Sequence, residues 1–164
     1  MLIEVDPDSG AVRVDEEGFE ALRARADPAL AVVDDPLVTL SLAVAGPEVR
    51  LRHRGWIDRD TATLLVGVRP DVFQVVNLPP AFLTAALVRL TRIRPRWPDG
   101  GGAEFGWQLD ATWVGGSRHL VATDGPGGLR LVDPVSGELR PASNTEVYRI
   151  LSTLLPTDAE VAAS

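Results

Sequence analysis

A chain of 164 residues with no cysteine, 45% hydrophobic and 24% charged, is long enough to bury an ordinary core as one domain and must hold it by packing alone. Disulfides, thiolate nucleophiles, cysteine-bound zinc and iron–sulfur clusters are excluded. The net charge of −7 is segregated: residues 1–36 carry 10 acids and 3 arginines, residues 46–97 carry 4 acids and 9 arginines, and residues 98–164 carry 9 acids and 4 arginines.

The opening LIEVDPDSGAVRVD sets short β-branched runs on either side of Asp6-Pro7-Asp8-Ser9-Gly10, which is turn chemistry, and predicts a hairpin. DEEGFEALRARA predicts a helix: Asp15 caps it, Glu16 and Glu17 suit its positive end, and Phe19, Leu22 and Ala26 share a face, against the cost of Gly18. From Pro36 to Asn77 the period becomes two. Val38, Leu40, Leu42 and Val44 fill one face of a strand, Val49, Leu51 and His53 one face of the next, and TATLLVGV and VFQVV supply two more, giving a four-stranded antiparallel meander. Pro79-Pro80 opens a helix, because a proline in the first turn loses no hydrogen bond. Its apolar face is Phe82, Leu83, Ala86, Leu87 and Leu90, and Pro95 and Pro98 stop it. RPRWPDGGGAE is a linker. Beyond it EFGWQLDATWV, SRHLVAT and LRLV are strands, and a last helix after Pro141 presents Val147, Ile150, Leu151, Leu154 and Leu155 before Pro156. The tail TDAEVAAS is expected to fray. A basic start followed by an apolar run is absent, as is any stretch of about 18 apolar residues, so a cytoplasmic protein without a membrane span is expected.

Laying Pro80 on Pro141 aligns Leu78 with Leu139, Ala81 with Ala142, Thr84 with Thr145, Leu90 with Leu151 and Pro95 with Pro156. The expected fold class is α+β: an acidic N-terminal hairpin and helix segment over 1–36, then two pseudo-repeated antiparallel β-meander plus helix units, 37–98 and 99–164, sharing one core and forming one domain. On NLPPAFLTAALVRL, ATDGPGGLRLV and RPASNTEVYRILSTLL the chain resembles, over roughly residues 37–156, the EspG family of secretion-associated chaperones of actinobacterial type VII (ESX) systems. The resemblance implies a quasi-two-fold pair of sheet and helix units and a cytosolic chaperone that binds a protein partner, a helical secretion substrate of the PE or PPE type. No family motif assigns a binding residue.

His53 and His119 lie in separate strands, read as sheet-surface positions, and neither has a second histidine at metal-ligand spacing, so no metal site is expected. PDGGGAEFG and DGPGGLR lack the order strand, G-x-G-x-x-G, helix, and no serine sits in a G-x-S-x-G elbow; neither a cofactor nor a catalytic residue is assigned. EVRLRHRGW stands out, because Arg50, Arg52 and Arg54 alternate on one strand face with Trp56 in phase. Such a stripe can grip phosphates and stack a base, but the acidity of the chain opposes nucleic acid. An exposed strand face, or a site for an acidic protein, fits better, and the acidic N-terminal segment is placed in the sequence to neutralise the stripe internally. Trp107 and Trp113 share a phase, as core or interface anchors would, and Trp97 sits in the linker. The candidate partner-binding residues are Arg50, Arg52, Arg54, Trp56 and Trp97, and the expected function is protein binding without catalysis. The alternatives are an enzyme with an unrecognised site, marked by a pocket where carboxylate, histidine and arginine converge, and nucleic-acid binding through the arginine strand.

Overall fold

A computed structural model of the chain describes residues 1–47, 50–91 and 104–162. The N-terminal hairpin is β1 (Ile3–Val5) and β2 (Val12–Val14), followed by α1 (Glu16–Ala24), a 3-10 turn (Pro28–Leu30) and α2 (Ala31–Asp34). Four strands come next, β3 (Val38–Ala45), β4 (Arg50–Ile57), β5 (Ala62–Arg69) and β6 (Val72–Leu78), then a 3-10 turn (Pro80–Phe82) and α3 (Leu83–Leu90). Another four, β7 (Phe105–Trp113), β8 (Gly116–Asp124), β9 (Arg130–Val132) and β10 (Leu139–Pro141), lead into α4 (Asn144–Ser152) and α5 (Asp158–Ala162). The ten strands of the described residues join one antiparallel sheet in the order β1-β2-β6-β5-β4-β3-β7-β8-β9-β10. The protein is therefore mixed α and β, and mostly sheet.

Alternation sorts the strand residues between two cores. On one face Val38, Leu40, Leu42 and Val44 of β3 join Leu109 and Ala111 of β7 and Leu64 of β5 beneath Leu83 and Leu87 of α3 and Val147, Leu151 and Leu154 at α4. On the other face Val14, Leu65 and Phe73 are covered by Phe19 of α1, Leu30, and Val32 and Val33 of α2. Asp15 caps α1, its Oδ1 accepting from Gly18 N at 2.7 Å. Gly18 has a packing reason for being there, since a Cβ at that position would collide with the carbonyl oxygen of Leu2.

Two hairpins share one turn. In both Asp6-Pro7-Asp8-Ser9-Gly10 and Asp133-Pro134-Val135-Ser136-Gly137 the leading carboxylate accepts from two backbone N–H groups, the serine hydroxyl accepts from the N–H two residues on, and the glycine takes a positive φ of 70° or 73°. That φ is open to glycine at no steric cost. Donation from Ser9 and Asp8 holds the Asp6 carboxyl below its ordinary value, and donation from Ser136 and Val135 does the same for Asp133.

Several expectations are corrected. Ala26 lies past the end of α1 with φ 53°, off the helical face. The second run has a fourth strand, β10, joined to β9 by a hairpin turn at DPVSG, where three strands were expected. The tail forms α5, tied down by Arg118, which donates to Leu154 O at 2.8 Å and to Glu160 Oε1 at 2.7 Å. Phe82 is 62% exposed, because it closes the 3-10 turn and not a regular helical turn. Val49, Pro95, Pro98 and the linker fall outside the described residues.

Leu87→Ala and Leu151→Ala are each expected to cost about 2–5 kcal/mol in denaturant unfolding, and Phe82→Ala under about 0.5 kcal/mol. Because both turn carboxylates titrate low in the folded state, the stability they add is present above the unfolded pKa and is lost as pH falls through the folded one. An Asp6→Ala/Asp133→Ala variant should thus be less stable than wild type at neutral pH and converge with it in strong acid.

Candidate functional site

The β4 register puts Arg50, Arg52, Arg54 and Trp56 on the same sheet face as the N-terminal helices and turns the next residues, His53 and Ile57 among them, toward the α3/α4 core. His53 is therefore buried, with its Nδ1 accepting from Gly67 N at 3.1 Å, and is not the surface residue expected. The stripe is split. Arg54 donates to Glu16 Oε2 at 2.6 Å, and its guanidinium lies 5.5 Å from the Trp56 ring centroid and 6.0 Å from those of Phe19 and Phe73. Phe19 stacks on Trp56 at 5.4 Å. Arg54 and Trp56 thus fasten α1 to the sheet, joining an ion pair to cation–π and ring contacts.

Arg50 and Arg52 are exposed, and no carboxylate among the described residues pairs with either. Trp97 lies outside the described residues.

Beside these two arginines the face is bare among the described residues. β3 presents Thr39, Ser41, Ala43 and Ala45, all exposed, and β7 presents Gly106, Gln108, Asp110 and Thr112 opposite them. Short side chains thus floor a trough over β3, walled by the β4 arginines on one side and by Gln108 and Asp110 on the other. On β8 the exposed His119 bonds through Nδ1 to Asp110 Oδ1, and Gln108 Nε2 donates to Asp110 Oδ2 at 3.2 Å. Only the strand register reveals this pair, since the turn at Gly115 sets Asp110 opposite His119.

An aspartate that orients a histidine is half of a nucleophilic site. Among the described residues no serine hydroxyl is hydrogen-bonded to His119, and Ser41 stands across from Asp110 on the side away from it. A hollow of about 360 Å³ where β3 and β4 meet the C-terminal tail is lined by Leu37, Ile57, Asp58, Arg59, Leu155 and Asp158, with no histidine. A second, of about 350 Å³ between α3 and β5–β6, is apolar apart from Arg89. Among the described residues no three histidine or acidic side chains gather as metal ligands, and no helix is long and apolar enough to cross a membrane.

No protein-family model matches the chain, and no curated protein matches it either.

Arg54→Glu sets a carboxylate against Glu16 and should lower unfolding stability by roughly 1–2 kcal/mol, whereas Arg50→Glu and Arg52→Glu should each change it by less than about 0.5 kcal/mol. Equal melting temperatures for all three variants would dissociate Arg54 from the docking of α1.

Proposed function

We propose that the chain is a protein-binding module of the EspG kind, a cytoplasmic chaperone-like protein without catalysis that holds a helical secretion substrate. The observation that carries this reading is the sheet face over β3, β7 and β8, bare among the described residues: the α3/α4 side of the same strands is buried or half-buried, and α1 and α2 cover only the β4-to-β2 side of the other. An open sheet face lacks the enclosed, mostly apolar pocket in which small molecules are bound and turned over. Nucleic acid is the poorer occupant, because Arg54 and Trp56 are already engaged by α1 and Asp110 lies on the same face.

The strand register lends support to the pseudo-repeat that this reading implies. With Val38 laid on Phe105, the β3–β4 pair Val38 and Ile57 falls on the β7–β8 pair Phe105 and Asp124, and the pair Gly55 and Leu64 falls on Ala122 and Leu131. Burial then matches Leu83 and Leu87 with Val147 and Leu151. Laying Pro80 on Pro141 puts them instead on Asn144 and Tyr148, both exposed. In this reading the two units meet at β3 and β7 and share one core.

A photo-reactive amino acid at Ala43 or Gln108, irradiated in the cytosol of the native host, should give a discrete protein adduct, and the same probe at Tyr148 on the opposite face should not. Absence of an adduct from the β3–β7 face would sink the reading.

A further inference from the structure

We infer that the trough over β3 takes an acidic helix, one whose carboxylates at positions i and i+4 meet Arg50 and Arg52. The inference rests on the protein-binding reading and names the chemistry of the partner.

Charge complementarity carries it. In a chain of net charge −7, two neighbouring exposed arginines without a carboxylate partner among the described residues are an unmet demand for anions. The chain supplies one precedent in cis: α1, an amphipathic helix with Glu16 and Glu17 in its first turn, meets Arg54 of the same strand face through Glu16 and sets Phe19 on Trp56. Arg50 and Arg52 continue that row beyond the reach of Glu16, toward the open half of the sheet.

Geometry selects a helix. Residues two apart on a strand are about 6.8 Å apart, and residues four apart on a helix rise about 6 Å, so carboxylates at i and i+4 fall opposite successive stripe arginines. The flanking strands β4 and β7 lie about 10 Å apart across β3, comparable to the width of a helix. The floor row Thr39, Ser41, Ala43 and Ala45 has no side chain long enough to hold such a helix off the sheet. Asp110 on the far wall is engaged by His119 and Gln108, and it disfavours a second acidic row, so the bound helix keeps its acids on the β4 side.

The test uses alanine-based helical peptides of about 20 residues, one with glutamates at i and i+4 along one face and one with lysines there, together with a single-stranded oligothymidine. The glutamate peptide should bind the full chain in a salt-sensitive manner and outcompete both other probes. Arg50→Glu/Arg52→Glu should weaken it by about tenfold or more and raise the affinity of the lysine peptide. Ala43→Trp, which fills the trough, should abolish binding with the melting curve unchanged.

No binding of the glutamate peptide to wild type, undiminished binding to the double variant, or tighter binding of the oligothymidine would each overturn the inference. A cross-linked partner at Ala43 that survives Arg50→Glu/Arg52→Glu would overturn it while leaving the protein-binding reading standing.

Discussion

The antiparallel pairing of β3 with β7 is the joint on which the molecule depends. Eight residue pairs, from Val38 with Trp113 to Ala45 with Gly106, join two strand runs that otherwise spread away from one another. The inward residues of the pair are all apolar and buried or half-buried, and α3 and α4 lie over them in contact with each other. Loss of that joint would separate two half-sheets, one with α3 and one with α4, and split the core that the two helices cover together. Central strands with neighbours on both sides are also the stiffest part of a sheet, so a surface on β3 is held in shape before anything touches it, which lowers the ordering cost of association.

The same pairing explains the division of labour among the arginines. β4 stands next to β3, so its outward row runs from the covered half of the face toward the open half. Arg54 falls under α1 and becomes part of the structure, while Arg50 and Arg52 lie beyond it. The acidic N-terminal segment therefore neutralises one end of a basic row and does not reach the other. Of the two readings of the charge segregation, neutralisation within the fold holds at Arg54.

What the sequence reveals is what short-range rules decide. The period of two in β3, the cap at Asp15 and the proline-led turn before α3 are local signals, and each appears in the structure. Phe82 misleads because a 3-10 turn advances with about three residues per turn and not 3.6, which rotates it off the face that its spacing implies. β10 is three residues containing an arginine and a proline, and only its pairing with β9 makes it a strand. The candidate site is half legible on the same grounds: alternation finds the arginine row, but the cover over Arg54 and Trp56 and the meeting of Asp110 with His119 arise from residues far apart in the chain.

The paired Asp-Pro-x-Ser-Gly turns also bear on how this sheet coexists with copies of itself. They place a hairpin of three-residue strands at each end of a broad sheet, so the outermost edges, β1 and β10, are the shortest strands it has. β10 ends on Pro141, which has no N–H to offer, and its neighbour Arg140 adds a charge. An incoming strand finds few consecutive donors and acceptors at either margin. A ten-stranded sheet would otherwise be a template for edge-to-edge growth, and the two hairpins act as its stops.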